Sequence, residues 1–382
     1  MKVQLFLEPM MTAIDSLTPL AVEGDTPAFD TDKSTDFAEN LLNILNSGAL
    51  AHMLSIGHRT GLLDTMAKLP PATSQQIADA AKLNERYVRE WLGAMVTGHI
   101  VTYYSGNKTY RLPAEHAAWL TRSASPNNMA TTMQFIPVIG GVEDAIVDCF
   151  HHGGGVPYSA YQRFHAVMAE ESAQTVITAL ETQVLPLVLG LKEQLAEGIS
   201  VVDIGCGQGR ILHTLASWFP NSRFVGYDLS SEVIAWAKGE SQRLGLQNVT
   251  FQIQDAALIM EENQYDLALS FDAIHDQAQP DIVLQNIYRA LRPEGLYLMQ
   301  EIQASSRLED NLNHPVGPLL YSISCNHCTA VSLAAGGPGL GAMWGQELAL
   351  EMLQAAGFSN IEVQQLENDF QNTYYLARRL SQ

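Results

Sequence analysis

The chain has 382 residues, long enough for two domains with cores of their own. Apolar residues make up 47% of it, which excludes a disordered chain. Its 41 acidic side chains outnumber 21 basic ones, and the net charge of -20 opposes both a nucleic-acid backbone and an anionic membrane surface as main partner.

The chain opens MKVQLFLEPMM, where Glu8 and Pro9 break a short apolar stretch, so no signal peptide is expected. No apolar run approaches the roughly 20 residues that cross a bilayer. Four cysteines, Cys149, Cys206, Cys325 and Cys328, are too few for a disulfide framework and suit a reducing cytoplasm. Residues 1–33 lack a period and read as a loose tail. From Ser34 the pattern is helical: Phe37, Leu41 and Leu45 fall four apart, and Leu50, Met53 and Leu54 extend the apolar face. Pro70-Pro71 stops the run. Thr73 and Gln76 have capping-box spacing, and Asn84 precedes the helical segment ERYVREWLGAMV. The segment IVTYYSGNKTYRL then reads as a hairpin turning at Gly106-Asn107. Helix, helix, hairpin over residues 34–122 predicts a winged helix-turn-helix.

Such a unit can read DNA. Here the candidate reading helix balances Arg86 and Arg89 with Glu85 and Glu90, and forms no basic stripe. A dimerisation domain that helps cover a substrate is the better reading. Residues 123–198 look helical, interrupted by His151-His152-Gly153-Gly154-Gly155-Val156-Pro157, which cannot continue a helix. The adjacent histidines point different ways with no acidic cluster beside them, so no metal site is expected there.

From Ile199 the rhythm changes. ISVVDIG, SRFVGYDL, VTFQIQD, YDLALSF and GLYLMQEI are strand candidates separated by helical stretches, which implies a parallel sheet covered on both faces. NIEVQQL and TYYLARRL flank Asn368-Asp369 too closely for a crossover helix and should pair antiparallel. In VVDIGCGQGR a strand runs into Gly205, Gly207 and Gly209 and then a helix, a backbone that a ligand can approach closely. A nicotinamide-dinucleotide fingerprint needs its third glycine five residues after the first, where this chain has Arg210. Asp228 ends the second strand, placed to accept ribose hydroxyls, and Asp255 ends the third, placed to accept from an adenine amine. Each alone could be a helix cap. Three such features in order, all at the carboxyl edge of the sheet, point to a nucleoside ligand.

On these motifs the block from about 199 to 379 resembles class I S-adenosylmethionine-dependent methyltransferases. The resemblance implies an α/β Rossmann-like seven-stranded sheet with an antiparallel last strand. It implies cofactor contacts at Asp203, the loop Gly205, Cys206, Gly207 and Gly209, the ribose acid Asp228 with Leu229, Asp255-Ala256 at the adenine, and Phe271 at the methionine group. Over about residues 45–379 the order AHMLSIGHRTGLLDTMAKL, SQQIADAAKLNERYVREWLGAMV, TYRL resembles small-molecule methyltransferases with an N-terminal winged-helix dimerisation domain, which implies a homodimer. The domains expected are a winged helix over 34–122, a helical linker and pocket cover over 123–198, and a cofactor domain over 199–382.

A methyl acceptor with a hydroxyl needs a base near neutral pKa. His275, in FDAIHDQAQP after the fourth strand, matches the catalytic histidine of plant-type O-methyltransferases, and Glu301, after the fifth strand in LMQEIQ, matches the acid that orients it. The segment 303–345 departs from that pattern. Its crowded glycines and prolines exclude one regular helix, and its length suits a substrate lid. Cys325, His327 and Cys328 within it lack a convincing fourth zinc ligand, His314 being the nearest, so packed thiols and no required metal are expected. Two other readings stand beside small-molecule O-methylation: an N- or C-methyltransferase working by proximity, and a DNA-binding regulator whose second half senses the cofactor.

Overall fold

The computed structural model describes residues 29–366, 369 and 371–380. Two compact units meet in the chain at Pro113 and Ala114. Residues 1–28 of the expected tail lie outside the described residues. Helix α1, Thr31–Thr60, begins slightly before Ser34 because the Asp30 carboxylate accepts from the amides of Asp32 and Lys33. It ends where Gly61 turns left-handed at φ 72°.

The C-terminal half of α1 packs within the first unit: Leu54, Ser55, Gly57 and His58 are buried, and Trp91 Nε1 donates to Met53 O at 2.8 Å. The N-terminal half does not. Phe37, Leu41, Ile44 and Leu45 are 48–70% exposed. The rest of the unit follows the local signals. Helix α2 (Leu62–Met66) precedes α3 (Ser74–Ala81), which starts at the expected Thr73–Gln76 capping box. Helix α4 (Glu85–Thr97) is capped by Asn84. Strands β1 (Thr102–Tyr104) and β2 (Thr109–Arg111) form the hairpin, pairing Tyr103 with Tyr110.

The second unit is built on seven strands: β3 (Ser200–Ile204), β4 (Arg223–Asp228), β5 (Val249–Ile253), β6 (Tyr265–Phe271), β7 (Leu291–Ile302), β8 (Ser359–Gln364) and β9 (Asn372–Arg378). Their order is β5-β4-β3-β6-β7-β9-β8. The first five run parallel, and β9 is antiparallel to both β7 and β8, as the spacing of the last two segments predicts. Asn368 of the connecting turn lies outside the described residues. Alternate residues of each strand feed opposite faces. Val201, Leu267, Leu296 and Leu298 enter one apolar core, while Val202, Ala268, Tyr297 and Met299 enter the other. Helices cover both, as in a doubly wound sheet. The order reverses between β3 and β6, which opens a crevice at the carboxyl ends of those strands. No helix among the described residues is long and apolar enough to cross a membrane.

Candidate active site

The crevice is lined first by the loop that follows β3. The amides of Gly205 and Cys206 donate to Tyr227 O at 2.8 and 3.0 Å, which folds the loop back over β4. Gly205 holds φ 73°, and a Cβ there would stand 2.5 Å from the Ala273 methyl. The loop after β3 and the loop after β6 therefore touch, and only glycine permits it. Gly207 and Gly209 are also left-handed, and helix Arg210–Trp218 starts at Gly209. Asp228, the last residue of β4, accepts from Gly207 N at 2.9 Å through one oxygen and from Ser230 N at 2.8 Å through the other. Leu229 beside it is 62% exposed. Asp203 is buried inside β3, and burial, reinforced by the charge of Asp228, holds its carboxyl protonated well above the usual range.

Two positions sit differently from the sequence reading. Asp255 does not end β5, which stops at Ile253; it caps the turn Ala256–Leu258, accepting from Ala257 N at 2.8 Å. Asp255, with buried Ala256, still lies at the same edge, as does Phe271, the last residue of β6. Glu301 lies within β7 rather than after it, paired in register with Thr373 of β9, and is fully buried.

Glu301 is the acceptor at the centre of a small network. Its Oε1 accepts from Ile274 N at 3.0 Å, and its Oε2 accepts from Trp344 Nε1 at 3.3 Å and from His275 Nδ1. A carboxylate only accepts, so Nδ1 carries the hydrogen and Nε2 of the neutral ring holds the free lone pair. His275 is itself buried, and Nε2 faces Asp276 Oδ1 at 3.4 Å. Burial works against a charge on this ring. Glu301 and Asp276 outweigh it, so the ring's affinity for a proton lies well above the ordinary histidine range, and only its neutral form, whose share grows with pH, has the Nε2 lone pair free to accept one.

The wall opposite comes from segments that the sequence placed only as a cover and a lid. Helix Glu143–His152 ends at Gly153, and Gly155 passes so close to a second helix that a Cβ would stand 2.1 Å from Ala330 O. That second helix is the middle of the 303–345 segment: Gly317–Ile323, a π turn over Ser324–Cys328, then Thr329–Ala334. As expected, it is not one regular helix, and the glycines after it are irregular. Tyr161 Oη donates to Asn326 O at 2.6 Å. The buried His327 ring stacks on Phe164 with centroids 3.6 Å apart and meets Tyr158 and Tyr161 edge-on. His314, the nearest extra donor by sequence, is taken up by Gln303 O at 2.9 Å and Val316 N. Cys325 is exposed, whereas Cys328 is buried beside His275 and Asp276. The sequence flagged His327 and Cys328 by type but held no sign of what they face. Trp344 carried no signal at all. His151 and His152 end an exposed helix, where His152 Nδ1 meets Asp148 at 2.9 Å.

Comparison with known proteins bears on the family and the fold. Residues 48–122 match the family model of an Rv2258c-like winged HTH domain, and residues 195–357 match that of a methyltransferase domain. The chain joins a winged helix-turn-helix domain to a methyltransferase domain. The chain is 33% identical over 127 residues to the arsenite methyltransferase of Aquipseudomonas alcaligenes, a match covering 31% of this chain and 37% of that protein. The chain thus spans between about a third and about a half of the length of the curated relatives it matches first. Among solved structures, one from Nostoc punctiforme is similar with a TM-score of 0.68 at 20% identity, over 89% of this chain and 98% of that one. The S-adenosylmethionine complex of human N-acetylserotonin methyltransferase is similar with a TM-score of 0.63 at 19% identity, over 93% and 100%. At these identities the likeness is one of fold, and it extends over both units of this methyltransferase-domain protein.

Proposed function

We propose that the chain is an S-adenosylmethionine-dependent methyltransferase that methylates an oxygen of a small molecule, with His275 as general base. The observation that carries this reading is the contact of the glycine loop with the His275 loop, Gly205 against Ala273, which sets a buried His–Glu pair beside the glycine loop at the carboxyl edge of the sheet.

The residues present fit the cofactor. Each Asp228 oxygen uses one of its lone pairs on a backbone amide and keeps another for a ribose hydroxyl. Asp255 and Ala256 stand at the adenine end, and Asp203, Gly205, Cys206, Gly207, Gly209 and Phe271 surround the methionine end. When bound, the cofactor supplies a methyl group on a positively charged sulfur. With an acceptor hydroxyl held in the crevice, neutral His275 would take its proton on Nε2. Glu301 holds the opposite nitrogen, so the ring presents its lone pair to the crevice and its positive charge is stabilised as it forms. Tyr161, Phe164 and His327 pack into an aromatic cluster next to His275, an apolar setting compatible with an aromatic acceptor.

The exposed apolar stripe of α1 supports a homodimer formed through the first unit, because single apolar side chains are common on surfaces but a row of four asks for a partner. The four free cysteines support a reducing cytoplasm.

The test is a screen of small metabolites for S-adenosylhomocysteine release. With the acceptor in hand, His275→Ala should lower turnover by roughly 10²–10⁴-fold and leave cofactor affinity nearly unchanged. No release from any acceptor with the cofactor bound would remove the reading as an enzyme. Near-normal turnover of His275→Ala would remove the base.

A further inference from the structure

The proton transfer uses His275 and Glu301 and leaves the groups facing them without a task. His327 is completely buried, yet neither ring nitrogen has a hydrogen-bond partner, and Asp276 Oδ1 has none either. Polar atoms buried in this state are costly and call for an occupant. Burial keeps the His327 ring neutral, with a lone pair to offer.

Asp276, one of these groups, sits in a cluster of metal-type donors. His275, Asp276 and Cys328 bring one donor atom each within 4.8 Å of one another. His275 Nε2 stands 3.4 Å from Asp276 Oδ1, and His327 Nδ1 stands 3.9 Å from Asp276 Oδ2. Metal–ligand bonds of about 2.0–2.3 Å in a tetrahedron put donors roughly 3.3–3.8 Å apart, so shifts of about 1 Å close the set of His275, Asp276 and Cys328, and the His327 ring joins it by moving in from the Asp276 Oδ2 side. The π turn explains why consecutive residues take part: its extra residue shifts the helix phase, and His327 and Cys328 are both buried. Glu301 on His275 Nδ1 is the carboxylate–histidine arrangement that orients metal-ligating imidazoles. Two imidazoles, a carboxylate and a thiol form a donor set for zinc-like ions rather than magnesium or calcium. Burial pushes the Cys328 thiol up to about 12, so the metal binds with release of that proton to solvent, and its two positive charges are then matched by the Asp276 carboxylate and the resulting thiolate.

We propose that His275, Asp276, His327 and Cys328 bind one thiophilic divalent cation of the Zn²⁺ type, which takes the His275 Nε2 lone pair and so shuts off methyl transfer. The binding stands on the geometry alone; its inhibitory consequence rests on the role of His275 given above. The metal is an inhibitor at this site and the reaction does not require it.

Chelator-treated full-length protein titrated with Co²⁺ tests the site without using activity. The expected result is a thiolate-to-cobalt band in the near ultraviolet with visible bands of a four-coordinate ion, saturating at one equivalent and displaced by Zn²⁺. Cys328→Ser should abolish the near-ultraviolet band, and Cys325→Ser should keep it. His327→Gln and Asp276→Asn, which cover for any misfolding of the cysteine variant, should each weaken binding by about 10-fold or more, at least what loss of an outer-sphere partner costs. Absence of the thiolate band in the wild type, or its survival in Cys328→Ser, would overturn the proposal. The two readings fail separately: no cobalt band together with an inactive His275→Ala refutes the metal site and keeps the base, whereas a band together with full turnover of His275→Ala keeps the site and refutes the base and the inhibition.

Discussion

Replacing Glu301 by glutamine changes one oxygen to an amide and keeps the volume. On Glu301 three donors converge on two acceptor oxygens: Ile274 N on Oε1, and Trp344 Nε1 with His275 Nδ1 on Oε2. Glutamine meets them best with its oxygen toward Ile274 and its amide toward the histidine. The ring must then switch tautomer so that Nδ1 accepts, and Nε2, now carrying the hydrogen, can no longer take a proton from an acceptor. Turnover should fall roughly 10²–10⁴-fold, as when a base is held in the wrong tautomer. The Trp344 indole N–H is left buried without a partner, which costs about 1–3 kcal/mol of stability. Removing a buried charge offsets part of that. Urea unfolding followed by circular dichroism reads the stability, S-adenosylhomocysteine release reads the turnover, and calorimetry should find cofactor affinity within a few-fold of wild type. A glutamine variant turning over within about fivefold of wild type would refute the role of Glu301 in orienting a base.

Asp228→Ala should weaken S-adenosylmethionine binding by about 1.5–3 kcal/mol, the worth of hydrogen bonds to a charged group, because the change also frees the Gly207 and Ser230 amides; calorimetry showing no loss would move the ribose elsewhere. Leu41→Lys with Leu45→Glu should give the mass of a single chain in light scattering at micromolar concentration, and a persisting dimer would exclude α1 as the interface. Glu171 accepts from Thr132 Oγ1 at 3.0 Å while its other oxygen is buried without a partner, and burial raises its carboxyl to about 7. Its folded form binds the proton more tightly than the unfolded chain, so this contribution is complete below pH 4.5 and is lost as pH rises through about 7. The loss is on the order of 3 kcal/mol, and Glu171→Gln should flatten that part of the stability curve measured by urea unfolding between pH 4.5 and 8.

Much of this protein is written in local order. The Thr73–Gln76 box, the Asn84 cap and the Gly106-Asn107 hairpin each depend on neighbours a few residues apart, so the sequence determined the helices and strands of the first unit. The same holds for the parallel strands, the antiparallel pair at the end and the glycine loop, whose spacing alone separated it from a dinucleotide fingerprint. Positions at strand ends were legible only approximately. Asp255 caps a turn past its strand and Glu301 sits inside one, because strand ends are set by pairing with distant partners such as Thr373. What only the tertiary structure decided is what faces His275. Trp344, His327 and Cys328 come from a segment far along the chain, and their side chains meet His275, Asp276 and Glu301 through packing and a π turn. No period, cap or spacing encodes such a meeting. It follows from how loops close over a sheet edge, and there the stability comes from burial shared by several segments rather than from any one of them.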